Sequence, residues 1–97
     1  MTYRLYPQAQ DDMRDVWFFL GTRNPRAATT MMRKFFKTFQ LLAAHPQLGR
    51  ERYDIRAKIR SVTCFPYVVF YQISGKHVDI VRILHGARDM TGLFDQG

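Results

Sequence analysis

A chain of 97 residues with 46% hydrophobic and 14% aromatic content has enough apolar material for one folded domain, which we assign to residues 1–97. No apolar run approaches the ~20 residues that a membrane-spanning helix needs, and the N-terminus lacks an apolar signal segment, so we expect a cytoplasmic protein. Fifteen Lys and Arg against eight Asp and Glu give a net charge of +7, which favours nucleic acid or an acidic protein as partner. One cysteine, Cys64, excludes an internal disulfide.

The first half of the chain predicts a short strand and two helices. Residues 2–6 alternate polar and apolar side chains, as a strand does. After a proline at a first-turn position, apolar residues recur at helical spacing, namely Ala9, Met13, Val16, Trp17 and Leu20. Asn24 and Pro25 suit the N-cap and first residue of a second helix, whose apolar stripe comprises Ala28, Met31, Met32, Phe35, Phe39 and Leu42. Two helices joined by so few residues form an antiparallel hairpin.

The second half predicts three consecutive strands between residues 57 and 89, with a tight turn at residues 74–76. Residues 67–73 are apolar on both alternating faces, which is typical of a central strand. The expected fold class is therefore α+β, in the order β-α-α-β-β-β, with the helical hairpin packed on a small antiparallel sheet. We expect the helices to cover one sheet face and the other face to remain partly exposed.

Common catalytic motifs are missing from the sequence, and the three histidines lack metal-ligand spacing, so we expect neither a metal nor a cofactor. A basic cluster on the strands remains, formed by Lys58, Arg60, Arg82, His85 and Arg88. Two or three cations with a histidine could bind a phosphate and move a proton, as cleavage of RNA requires. The alternative is structural, in which Arg82 forms an ion pair with an aspartate, Asp79 or Asp89.

Several segments together resemble the ParE branch of the RelE/ParE toxin superfamily. They are residues 46–50 (PQLGR), 59–61 (IRS), 69–71 (VFY) and, most specifically, 81–89 (VRILHGARD). The resemblance covers essentially the whole chain. It implies a toxin of a type II toxin–antitoxin pair that is neutralised by a cognate ParD-like antitoxin, and it implies the fold expected above.

The branch of the superfamily determines the expected target. RelE-type toxins cut mRNA on the ribosome, whereas ParE-type toxins lack that catalytic set and poison DNA gyrase. Here the basic stretch before Arg60 is reduced to Lys58, and His85 is followed by Gly86 and Ala87 rather than by a stacking aromatic residue. We therefore expect a gyrase inhibitor that is not an enzyme, with the candidate target contacts Arg60, Arg82, His85, Arg88 and Asp89.

Two other functions stay open at this point. A ribosome-dependent mRNA endonuclease would use Arg60, Arg82 and His85 as catalytic residues. A plain nucleic-acid-binding module is suggested by the charge alone, although the sequence offers no recognition helix or aromatic stacking platform.

The helices carry more aromatic residues than one sheet face can bury. Adjacent residues on a helix point in different directions, so Phe18 and Phe19 cannot both face the sheet. A large aromatic patch surrounded by cations suits an acidic, amphipathic antitoxin segment that folds as it docks. The predicted antitoxin-binding residues are Trp17, Phe18, Phe19, Arg33, Lys34, Phe36 and Lys37, on the 12–19 and 34–41 faces of the two helices.

Overall fold

The structure is a computed structural model, and it describes residues 1–86. The chain forms strand β1 (Thr2–Leu5), helices α1 (Pro7–Gly21) and α2 (Pro25–Ala44), and strands β2 (Arg50–Glu51), β3 (Arg60–Cys64), β4 (Tyr67–Ser74) and β5 (His77–His85). The strands make one five-stranded sheet in the order β1-β5-β4-β3-β2. The α+β class is confirmed, as are both helices and the three long strands.

The sheet differs from the prediction in its two edge strands. β1 pairs with β5 in parallel, with Thr2 opposite His77 and Leu5 opposite Ile80, so the sheet is mixed rather than antiparallel. The two-residue β2, which the sequence analysis does not predict, pairs with the start of β3. Its shortness explains why no alternation in the sequence revealed it.

Both helices begin and bury residues as their sequences suggest. Asn24 accepts a hydrogen bond from the Ala27 amide at 3.3 Å, and proline occupies the first turn of each helix. The main core lies between the helices and one face of the sheet, and it includes the residues Met13, Val16, Phe35, Phe39, Leu42, Val69, Tyr71 and Ile80. Among the described residues, no helix is long and apolar enough to cross a bilayer.

The second face of the sheet is more covered than expected. It holds a smaller cluster of the buried residues Ile59, Phe70, Val81 and Leu84, with Ile55 packed against it. The Arg52 guanidinium carbon also lies 5.6 Å from the centre of the Phe70 ring. The segment between β2 and β3 therefore contributes side chains to the cover that we expected to be lacking.

A register shift in β5 positions the residues at its end. Opposite the consecutive β4 residues Phe70 and Tyr71 stand Arg82 and Ile80, so β5 has one extra residue, Val81, between them. β1 ends at Leu5, and the Tyr6 amide donates a last hydrogen bond to the Ile80 carbonyl at 2.9 Å. Beyond Ile80, β1 no longer pairs with β5, so the backbone groups on this edge of β5 can bind side chains from other elements.

Candidate functional site

A groove runs between the helices and the β3–β4 turn. It consists of two adjoining concavities of about 550 and 330 Å³ that share Lys34 and Phe65. Phe19 and His85 border the first concavity, and Leu41 borders the second. We call this surface the groove, because it joins both helices to the turn and to the end of β5.

Phe19 reaches the groove because it follows the buried Val16 by three residues on α1. Its side chain remains exposed to 55% of its full area. The Arg23 guanidinium carbon lies 4.2 Å from its ring centre, and the same side chain donates a hydrogen bond to the Phe19 carbonyl at 3.0 Å. Arg23 and Phe19 thus form a cation–π pair at the C-terminal end of α1.

Phe65 is a groove residue that the sequence analysis missed. It lies in the turn between β3 and β4, is 81% exposed, and precedes Pro66 through a cis peptide bond. An aromatic residue before proline between two predicted strands was the available signal. The predicted run of strands over residues 57–89 marks a tight turn only at residues 74–76 and gives no position for the first turn.

Helical geometry divides the predicted antitoxin-binding residues of α2. Lys34, Lys37 and Leu41, at positions i, i+3 and i+7, lie on one flank and border the groove. Phe36 lies roughly 160° around the helix axis from Lys34. Its ring packs edge-on against Phe39 at 5.9 Å instead. It is 43% exposed, so it belongs to a different surface from the groove.

The other predicted antitoxin-binding residues divide in the same way. Phe19, Lys34 and Lys37 border the groove, whereas Trp17 and Phe18 are exposed at 43% and 61% without bordering it. Arg33 lies on the outer side of α2, beside a separate shallow concavity. The structure therefore brings three of the seven residues together.

Arg60 is held by the loop that follows α2. Its guanidinium donates to the Gly49 carbonyl at 2.8 Å and to the Glu51 carboxylate at 3.2 Å. The neighbouring Tyr71 hydroxyl donates to the Pro46 carbonyl and accepts from the Gly49 amide, at 2.8 and 2.7 Å. Burial raises the pKa of Tyr71, which keeps the hydroxyl protonated for this role. Arg60 thus belongs to a network that fixes the loop.

Arg82 binds an aspartate of α1, while Asp89, one of its two predicted partners, lies outside the described residues. Arg82 forms a two-pronged ion pair with Asp12 of α1, at 2.8 and 3.1 Å, so the pairing with Asp79 is wrong. Asp79 is bound instead by Arg4 and by the Tyr6 hydroxyl. Asp12 also accepts from the Ile83 amide at 2.9 Å, where β1 no longer covers the edge of β5. The hydrogen bond that Arg82 donates to Asp12 raises the pKa of Arg82, which stays charged.

The predicted catalytic residues do not converge on one site. Arg60 stands opposite Tyr71, and Arg82 stands opposite Phe70. Because consecutive strand residues point to opposite faces, the side chains of the two arginines start from opposite faces of the sheet. His85 stands opposite Tyr67, about 13 Å along β4 from the position of Arg60. The other predicted target contacts, Arg88 and Asp89, lie outside the described residues.

The sequence matches the family model described as ParE toxin of type II toxin–antitoxin system, parDE, over residues 3–90. This chain belongs to the ParE toxin family. It is the toxin component of a type II toxin–antitoxin system, and its partner is therefore a cognate antitoxin.

Curated ParE toxins resemble this chain over most of their length. Toxin ParE1 of Caulobacter vibrioides is 33% identical over 84 residues, which cover 86% of each chain. Toxin ParE3 of the same organism is 34% identical over 66 residues, covering 68% of this chain and 66% of that protein. Toxin ParE1 of Mycobacterium tuberculosis is 29% identical over 90 residues, covering 91% and 92%. The ParE similarity thus extends across the helices and the sheet.

A solved structure shares the fold. It is described as the chromosomal ParDE TA system from P. aeruginosa, and a chain in it matches with a TM-score of 0.75 at 18% identity. The match covers 88% of this chain and 95% of that one. At this level of identity the similarity shows the fold alone.

Proposed function

We propose that this ParE toxin poisons DNA gyrase by binding it and has no nuclease activity of its own. The observation that carries the proposal is that the strand arginines are occupied. Arg60 is bonded to Gly49 and Glu51, and Arg82 to Asp12, with both side chains less than one-fifth exposed. Neither guanidinium is presented to a substrate phosphate.

Cleavage of RNA needs an acid/base group and a cation within hydrogen-bond reach of one phosphate. Here the register separates Arg60 from His85 by four residues along β4 as well as by the width of that strand. This separation argues against the endonuclease function and supports the non-enzymatic one.

The gyrase contact that we favour lies at the end of β5. His85 is exposed there, with its ring edge-on to Tyr67 at 5.6 Å, and Arg88 and Asp89 follow it in the sequence. Arg60 and Arg82 take part indirectly, because Arg82 ties α1 to this strand and Arg60 holds the loop at the far edge of the sheet. We assign them a positioning role.

We further propose that the antitoxin docks in the groove. Phe19, Leu41 and Phe65 are each at least 48% exposed, so an apolar face would bury substantial aromatic and aliphatic area there. Lys34 and Lys37 border the same surface, and residues 16–50 contain no Asp or Glu. An amphipathic segment with acidic flanks fits this combination, and electrostatic attraction would speed its docking.

The decisive experiment compares two activities of the purified full-length toxin. With gyrase and a circular plasmid, we expect inhibition of supercoiling and accumulation of cleaved DNA. With translating ribosomes and an mRNA, we expect no transcript cleavage. Site-specific cleavage of mRNA that His85→Ala abolishes would overturn the proposal and establish the endonuclease.

A matched histidine variant tests the assignment of the gyrase surface. His85→Ala should weaken gyrase inhibition, whereas His77→Ala, at the opposite end of β5 beside Thr2, should leave it unchanged. Melting temperatures of both variants control for folding. Equal inhibition by both would place the gyrase contact elsewhere.

A further inference from the structure

The solvent side of α2 carries a line of cations. Arg26, Arg33 and Lys37 are exposed and lie within about 40° of one another around the helix axis, directly opposite the buried stripe of Ala28, Phe35 and Phe39. We call these three residues the outer stripe. Arg33 follows Arg26 by about 10.5 Å along the axis, and Lys37 follows Arg33 by about 6 Å.

The charges of the outer stripe are not neutralised within the part of the chain that the structure describes. The five ion pairs among residues 1–86 engage Arg4, Arg14, Arg52, Arg60 and Arg82. None of them includes a cation of α2, and residues 16–50 hold six Lys and Arg without a single Asp or Glu. The outer stripe therefore presents an uncompensated positive field to solvent.

The concavity beside the first two residues of the stripe contains no large apolar side chain. Arg26 and Arg33 flank a shallow concavity of about 340 Å³ whose other lining residues are Pro25, Thr29 and Thr30. A protein partner usually buries aromatic or aliphatic anchors at the centre of its interface, and this concavity offers none. Cations and hydroxyl groups instead suit the phosphate and sugar groups of a nucleic-acid backbone.

We propose that the outer stripe binds the phosphate backbone of duplex DNA without regard to base sequence. This site goes beyond gyrase binding and antitoxin neutralisation, since it needs neither partner. Arg26 and Lys37 also border the groove, so DNA and the antitoxin meet on adjoining surfaces of one helix. Such binding would concentrate the toxin on DNA, which is also the substrate of the proposed target, gyrase.

The test is a titration of a fluorescein-labelled duplex of random sequence with the free full-length toxin, followed by anisotropy at several NaCl concentrations. The stripe variant is Arg26→Gln/Arg33→Gln/Lys37→Gln. The control variant is Arg14→Gln/Arg50→Gln/Lys76→Gln, which removes three exposed cations from other elements. Each lowers the formal charge from +7 to +4, because three positive charges are lost.

The two variants should behave differently although their net charge is the same. Each neutralised phosphate contributes about −0.9 to the slope of log affinity against log salt, so the stripe variant should lose about 2.7 from the slope. Its affinity at 100 mM NaCl should fall at least tenfold, and that of the control at most about threefold. Arg33→Gln alone should reduce the slope by about 1.

Three results would overturn the proposal. Equal losses in both triple variants would mean that only the overall charge attracts DNA. Absence of duplex binding by the unmodified toxin at 50 mM NaCl would remove the site altogether. Displacement of the duplex by poly-glutamate as efficiently as by unlabelled duplex would identify the stripe as a site for acidic protein. Melting curves of each variant verify that the fold is retained.

Discussion

The sheet and the outer side of the helical hairpin differ in how their cations are paired and how their aromatic rings are buried. In and beside the sheet, arginines are matched to carboxylates, as in the Arg82–Asp12 and Arg4–Asp79 pairs, and aromatic residues such as Tyr71 and Phe70 are fully buried. On the helices, the cations of α2 have no carboxylate partner among the described residues, and several aromatic side chains face solvent, namely Trp17, Phe18, Phe19 and Phe36.

The difference separates stability from recognition within a small chain. A matched charge or a buried ring stabilises the fold, and mutating it should change unfolding before it changes binding. An unmatched charge or an exposed ring contributes little to the folded state, so its effect should appear when a partner is added. Mutations in the two regions should therefore be distinguishable by whether unfolding or partner binding changes first.

The largest effect should come from Asp12→Ala. This change leaves the largely buried Arg82 guanidinium without its carboxylate and the Ile83 amide without its acceptor, since Asp12 serves both. We expect a loss of about 3 kcal/mol in the free energy of unfolding, measured by urea denaturation. The control is Asp11→Ala, whose pair with Arg14 is exposed and 3.5 Å long and should change stability by less than about 0.5 kcal/mol. Equal stability of the two variants would contradict the assigned role of Asp12.

Tyr71→Phe should be the next most damaging change. The hydroxyl group bridges the Pro46 carbonyl and the Gly49 amide, and the Gly49 amide is buried with it. Removing the bridge leaves both backbone groups unpaired, which should cost about 2 kcal/mol of unfolding free energy. Tyr53→Phe is the matched control, because Tyr53 is 70% exposed. A loss in the control as large as in Tyr71→Phe would mean that the bridge does not stabilise the loop.

Substitutions in the groove should lower the affinity for the antitoxin without lowering the stability of the fold. Phe65→Glu places a like charge against an acidic segment and removes an apolar contact, so affinity should fall at least tenfold, or about 1.4 kcal/mol, with the melting temperature unchanged. Phe19→Glu should act similarly. The comparison variants are Phe18→Glu and Phe36→Glu, which lie outside the groove. A larger loss of affinity in those two than in Phe65→Glu would place the antitoxin across the exposed Phe18 and Phe36 side chains, as the sequence alone predicts.

Alkaline pH should remove the contribution of Tyr71 gradually. Burial raises the pKa of Tyr71 above that of an unfolded tyrosine, so its protonated form is favoured in the folded state. The stabilisation is fully present below about pH 10 and is lost as pH rises through the raised pKa. The difference in unfolding free energy between the unmodified toxin and Tyr71→Phe should therefore shrink above pH 10. Tyr67, whose pKa burial also raises, occurs in both proteins and cancels from the difference. A constant difference from pH 8 to pH 11 would contradict this prediction.

Periodic parts of the fold were readable from the sequence, whereas long-range pairings were not. The helix stripes, the Asn24 cap and the three long strands follow from local patterns, and the structure confirms them. The parallel pairing of β1 with β5 joins residues about 75 positions apart, and nothing in either segment specifies its partner. The two-residue β2 is shorter than any detectable alternation.

The candidate site was predicted less completely than the fold. The excess of aromatic residues on the helices indicated a docking surface, and Phe19, Lys34 and Lys37 do border the groove. The contribution of Phe65 depends on a turn that folds back toward α2, which no helical pattern reveals. The pairing of Arg82 with Asp12 was not predicted, because Asp12 is 70 residues away and no local pattern links the two.

The pairing of the first and last strands also sets a condition on biosynthesis. β1 leaves the ribosome before the other strands of the sheet, whereas its partners His77–Ile80 are made about 75 residues later. Because β1 is an edge strand whose only neighbour in the sheet is β5, it has no partner for a hydrogen-bonded ladder until these residues emerge. Nascent chains and prematurely terminated products that stop before residue 77 therefore lack the closing pair of the sheet. The sheet of the toxin is thus completed only after residues 77–80 have been translated.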